Sequence, residues 1–213
     1  MTRYIKISFT LIIMLLISNL VKAQTTSKEG ELKLHLNYQY GIPLGDFKND
    51  MISNGSARGY SGSLMYQISP KWAAGISAGY QSFLQKYPRA VYETGDHEAT
   101  SAVLTNSVEI TPLMATGLFT PLAENGKILQ PYISAGFGVN MLSFRQYLGE
   151  FGGADNKATL IAQGGAGLQI TFGKAKESGF SIGANYQYVP YQRNGYGNMN
   201  NLGLQAGLYF PLK

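Results

Sequence analysis

From residue 31 to the end of the chain, nearly every second position is apolar, and the positions between are Gly, Ser, Gln, Asn or Thr. In the run Asn201-Leu-Gly-Leu-Gln-Ala-Gly-Leu-Tyr-Phe210, one face carries Leu202, Leu204, Ala206, Leu208 and Phe210. The other carries Gly203, Gln205, Gly207 and Tyr209. Side chains of a strand alternate sides, so each such run is a ribbon with one greasy face and one small, uncharged polar face. A soluble barrel would load its polar face with Lys and Glu. Here charged residues are only 14% of the chain and most lie between the alternating runs. The pattern predicts a barrel whose apolar face meets lipid and whose small polar face lines the inside.

Eight alternating segments are predicted. The first, residues 31–42, sets Leu32, Leu34, Leu36, Tyr38 and Tyr40 against Lys33, His35, Asn37 and Gln39. Segments at 57–69 and 71–84 follow, with Tyr60, Leu64, Tyr66, Trp72, Ile76 and Tyr80 on their apolar faces. The fourth, 101–120, is the least regular and contains Pro112. The fifth, 128–147, places Ile133, Phe137, Val139 and Met141 opposite Ser134, Gly136, Gly138 and Asn140. The sixth (157–173), the seventh (179–192) and the C-terminal run repeat the scheme.

The connections alternate in length. Turns at 69–71, 123–126 and 174–178 are short and rich in turn-forming residues. Those at 43–56, 85–100 and 146–156 are read as longer loops, with a shorter one at 193–197 on the same rim. Short turns on one rim and long loops on the other predict an all-β, eight-stranded, antiparallel up-and-down transmembrane β-barrel with its loops facing outward. Glycine weakens strands, so 26 of them call for a reason, and a narrow interior that leaves space for a few long side chains supplies one. Tyr, Phe and Trp gather near segment ends, as expected of aromatic girdles at the two lipid–water boundaries.

The N-terminus reads as an export signal. Arg3 and Lys6 precede an apolar stretch from Phe9 to Val21, and Val21-Lys22-Ala23 offers a cleavage site, giving a signal peptide over 1–23 and a barrel domain over 24–213. The stretch is too short to span a bilayer as a helix. The expected destination is the outer membrane. With no cysteine there is neither a disulfide framework nor a lipid-modified cysteine. The formal charge of +5 falls to +2 once Arg3, Lys6 and Lys22 leave with the signal, because 14 basic residues then face 12 acidic ones. No basic cluster remains, and nucleic acid is not an expected partner.

Candidate chemistry is sparse. Of the two histidines, His35 falls on the inner face mid-strand, and His97 lies in the loop run Asp96-His-Glu98, where neighbouring residues rarely converge on one metal. Asp46, Asp50, Asp155 and Asn156 form no calcium-loop pattern. Gly136-Phe-Gly138 and Gly164-Gly-Ala-Gly167 precede no helix and are not phosphate loops. No Ser-His-acid spacing stands out, so no catalytic residue, metal site or cofactor is expected. Lys33, Glu109 and Arg145 are expected to point into the barrel as a lumen charge cluster, with Glu109 paired to at least one of the two bases. Paired there, they would plug the lumen.

Four features carry a resemblance: the Ala23-Gln24 cleavage site, Glu109-Ile-Thr-Pro-Leu113, Pro131-Tyr-Ile-Ser-Ala-Gly-Phe-Gly138, and the terminal Gln205-Ala-Gly207-Leu-Tyr-Phe210-Pro-Leu212. On these the mature chain resembles the small outer-membrane β-barrel family of Bacteroidota, which shares the eight-stranded architecture of the OmpA and OmpX barrels. The terminal run is similar to the last-strand signal read by the barrel-assembly machinery, although it ends Pro211-Leu212-Lys213 rather than on an aromatic. The resemblance implies a place and a fold rather than a substrate, with outer-membrane lipid and the assembly machinery as partners. The expected role is structural or surface-interacting, through long loops that meet an extracellular ligand or partner protein. The alternatives are a narrow channel for small solutes and, further off, a lipid-modifying enzyme.

Overall fold

The computed structural model describes residues 29–95, 98–123, 128–149, 151–172, 178–191 and 197–212. The expected signal peptide (1–23), Asp96 and His97 lie outside them, as do parts of the expected turns at 123–126 and 174–178. The alternating runs form β1 (Leu32–Pro43), β2 (Ser56–Gln67), β3 (Trp72–Lys86), β6 (Leu104–Phe119), β7 (Leu129–Leu148), β8 (Phe151–Thr171), β9 (Gly179–Tyr188) and β10 (Asn201–Leu212). These eight pair in chain order, and β10 closes on β1, all antiparallel. A separate two-stranded sheet, β4 (Ala90–Gly95) with β5 (Glu98–Ala102), stands in the connection between β3 and β6. The expected eight-stranded up-and-down barrel is therefore the fold. Closure leaves no sheet edge to satisfy within a bilayer.

The register fixes the barrel's shape. Stepping across the ladders from Leu32 leads to Tyr66, Ala74, Gly117, Ala135, Gly164, Tyr186, Leu202 and back to β1 at Ile42, ten residues beyond the start. For eight strands, this stagger implies a tilt of about 41° to the barrel axis, within the ordinary range. Each residue along a strand then climbs about 2.5 Å.

The outer face carries the apolar residues of the alternation. Leu36, Ile76, Leu113, Ile133, Phe137, Leu160, Ile182 and Leu208 are all exposed. A lower aromatic ring includes Tyr66, Trp72, Phe119 and Phe172, with Trp72 and Phe119 in contact across β3 and β6 at 4.5 Å between ring centroids. An upper ring includes Tyr38, Tyr40, Tyr60, Tyr80 and Tyr186, with Tyr60 stacked on Tyr80 at 5.5 Å. From Trp72 to Tyr80 the wall climbs roughly 20 Å, which matches the ~25 Å apolar band of transmembrane barrels.

Three segments differ from the sequence reading. Residues 146–148 and 151–156 are strand rather than loop: β7 runs to Leu148 and pairs there with Phe151, the first residue of β8, and Gly149 takes a positive φ of 62°. Their length, 20 and 21 residues, raises a wall well above the apolar band. The connection at 85–100 contains β4 and most of β5. The irregular fourth segment is one continuous strand, β6, with Pro112 turned inward and buried. Lacking an N–H, Pro112 interrupts the ladder to β3: pairing passes from Ala78–Leu113 directly to Gln81–Ile110.

Candidate functional site

The interior has two layers. In the lower one, polar side chains meet one another, some between neighbouring strands and some across the lumen. Asn185 Nδ2 donates to Gln205 Oε1 (3.0 Å), Gln205 Nε2 donates to the Tyr132 hydroxyl (3.1 Å), and Gln187 Nε2 donates to Gln163 Oε1 (3.0 Å). Ser181 Oγ donates to Asn37 Oδ1 (3.1 Å), and Ser77 shares a hydrogen bond with Thr116 (2.7 Å). Tyr132 crowds two inner glycines: a Cβ on Gly183 would lie only 2.5 Å from its hydroxyl, and one on Gly167 would lie 2.7 Å from its ring and closer still to the Ile182 carbonyl oxygen. The open space left here is small, about 70 Å³ in one cavity and 30 Å³ in a second nearer the lower rim. At about 10–15 Å³ per water centre, that is room for a few waters.

The upper layer is apolar. Phe83, Val108, Ile110, Leu142, Phe144 and Ile161 point inward from β3, β6, β7 and β8 and are buried. The connection after β1 completes it. Gly45, at a φ of +58°, lets the chain turn in, and a single π-helical turn (Phe47–Met51) drives Phe47, Met51 and Ile52 into the mouth of the barrel. The Phe47 ring meets Phe83 edge to face at 5.0 Å. The Met51 carbonyl accepts hydrogen bonds from Asn106 Nδ2 (3.0 Å) and the Tyr87 hydroxyl (3.1 Å), and Gln85 Oε1 accepts from the Ser53 amide. Val189, Tyr191 and Met199 of the last connection pack on the same cluster. The signal for this plug was present in the chain as Phe47, Met51 and Ile52, helix-spaced apolar residues in an otherwise polar connection.

The charges expected to meet in the lumen do not. Lys33 alone lies inside, near the lower rim, 3.5 Å from Glu31. Glu109 and Arg145 do pair, at 3.4 Å, but on the outer wall, since β6 and β7 turn their even-numbered residues inward. Glu109 stands ten residues above Phe119, about 25 Å up the wall, and Arg145 stands higher still. Both are beyond the apolar band, where water and headgroups hydrate them and no lumen partner is needed. What closes the barrel is hydrocarbon, not an ion cluster. His35 is inside as expected and stacks on Tyr209 at 5.3 Å. Among the described residues, no three His, Asp or Glu side chains group as metal ligands.

A closed eight-stranded sheet, apolar outside between two aromatic rings and filled inside, defines a transmembrane β-barrel protein. The chain belongs to the outer membrane protein beta-barrel domain family, whose model matches residues 9–210, and the family places it in the outer membrane. No curated protein matches it. Neisserial surface protein A has a similar structure, at 13% identity with a TM-score of 0.51, covering 87% of this chain and 98% of its own. The outer membrane protein OprG from Pseudomonas aeruginosa is similar at 12% identity and a TM-score of 0.50, covering 89% and 99%. Ail, the attachment invasion locus protein of Yersinia pestis, matches at 13% identity and 0.47, covering 86% and 100%. At such identities the likeness is one of fold.

Proposed function

We propose that this protein is a non-conducting outer-membrane barrel with a structural or surface-interaction role, exported by its signal peptide and inserted by the barrel-assembly machinery. It works without a cofactor or a catalytic group. The resemblance to the Bacteroidota barrels belongs to the same reading. One observation carries it: among the described residues the upper lumen is filled by the apolar layer around Phe47, Phe83 and Leu142, with small cavities below it. A solute path needs a continuous wet lumen, and buried hydrocarbon at native packing density leaves none. The tall β7–β8 wall, the β4–β5 hairpin and the long connections share one rim, and these are the parts available to a partner.

The pure protein in a planar bilayer is expected to show no stepwise conductance. Steady single-channel currents would support the small-solute channel instead. Orientation has its own readout, because the chain contains no cysteine. Val91→Cys and Phe151→Cys, at positions 69% and 73% exposed on the long-loop rim, are expected to react with a membrane-impermeant maleimide on intact cells. Pro121→Cys, in a short turn at the opposite rim, should react only after lysis. The reverse labelling pattern would invert the barrel.

A further inference from the structure

The barrel also has an open space on its outside. A groove of about 370 Å³ runs down the outer wall across β6, β7 and β8. That volume sits at the lower end of ordinary ligand sites. Glu109, Thr111, Ser143, Asn156 and Lys157 supply its polar lining, and Met141, Leu142 and Ala158 its apolar floor. The register puts Glu109, Ser143 and Asn156 side by side on three adjacent strands, with Thr111, Met141 and Ala158 immediately beneath. Arg145, diagonal to Glu109, holds that carboxylate through one long 3.4 Å contact and leaves most of its donor fork open.

Height decides what meets this groove. Directly below lie Leu113, Val139 and Leu160, exposed members of the apolar belt, while Met141 is 72% exposed at its upper margin. An acyl chain against that belt would bring its own headgroup to the level of Ser143 and Asn156. The polar lining is also under-used by the protein. Ser143 Oγ is buried with no hydrogen-bond partner among the described residues, a costly state unless something else supplies one. One hydroxyl and an amide in a row, with the Thr111 hydroxyl beneath and an Arg fork suited to planar recognition of phosphate beside them, match a sugar that bears phosphate. A simple glycerophospholipid offers the phosphate but few partners for the row.

We infer that this lateral groove seats the headgroup of a phosphorylated glycolipid of the outer leaflet. Arg145 contacts the phosphate, and Ser143, Asn156 and Thr111 contact sugar hydroxyls. The Glu109 carboxylate turns the Arg145 fork and accepts from a sugar hydroxyl in turn. The site is independent of whatever the loops bind, and it ties the barrel to one leaflet and one rotational face of its lipid annulus.

The test is native mass spectrometry of the full-length barrel in mild detergent micelles, titrated with lipid A. The wild type is expected to retain one lipid A per barrel. Arg145→Gln and Ser143→Val, each checked for an intact barrel by its heat-modifiable gel band, should each weaken retention at least tenfold. Arg58→Gln, a charge removed from the wall of β2, should leave it unchanged, and phosphatidylglycerol in tenfold excess should not displace the bound lipid. No retained lipid A, or retention indifferent to Arg145 and Ser143, would overturn the inference. Equal displacement by phosphatidylglycerol would also overturn it, reducing the groove to an unspecific anionic contact.

Discussion

Ile76→Arg is expected to cost the folded barrel about 2–4 kcal/mol, the penalty for a basic residue on the lipid face near the bilayer midplane. Ile76 lies on β3 halfway between Trp72 in the lower aromatic ring and Tyr80 in the upper one, and it is 58% exposed to whatever surrounds the barrel. If that surrounding is hydrocarbon, the guanidinium must snorkel roughly 10 Å in either direction to reach water. Met141→Arg provides the contrast. Met141 is more exposed still, but it stands twelve residues above Leu129, at the upper margin of the band, where the same charge costs about 0–1 kcal/mol. Urea unfolding in lipid vesicles, followed by the fluorescence of the single tryptophan, Trp72, measures both. Equal small effects at the two positions would mean that the face carrying Ile76 is hydrated, which is incompatible with a membrane barrel.

The same height argument explains which parts of the structure were legible in the chain. Within the apolar band the environment has only two values, lipid outside and a small polar lumen inside. Alternation therefore identifies the faces directly, as with Leu34 against His35 on β1 or Phe137 against Gly138 on β7. Above the band the meaning of the alternation reverses. There the outside is wet and the inside is filled by the plug, so Val108, Ile110, Leu142 and Phe144 face inward while Ser107, Glu109, Ser143 and Arg145 face out. β6 carries much of its length in this upper zone, and for that reason its pattern looked irregular. A fixed rule of charge inside and grease outside misplaces Glu109 and Arg145, although continuing the register from Met141 along β7 places Arg145 outside. The upper hairpin was hidden for a related reason. Gly152, Gly153 and Ala154 lack the apolar partners that a lipid-facing strand requires, so strand in water reads as loop. The lateral groove depends on three strands in register, which no single run of sequence displays.

Phe47→Ala is expected to release the connection after β1 while leaving the barrel closed. Phe47 is fully buried, packs on Phe83, and belongs to a five-residue π-turn that has no sheet of its own to hold it. Truncating a buried Phe costs about 3–5 kcal/mol. What remains to hold the segment is Met51, Ile52, the two hydrogen bonds on the Met51 carbonyl and the contact of Ser53 with Gln85. The ladders of β1 with β2 and β10 do not pass through Phe47, so the loss falls on local docking rather than on global stability. Lys48, exposed beside Phe47, gives trypsin a site within the segment. Where reclosing outpaces cleavage, the cutting rate follows the population of the open form. Cleavage after Lys48 should therefore rise about 150- to 4,000-fold in Phe47→Ala, the ratio that 3–5 kcal/mol implies. The heat-modifiable gel shift should persist in both proteins. Loss of that shift would make the π-turn part of the barrel's own stability, and an unchanged cleavage rate would mean that the mouth is not held shut by this side chain.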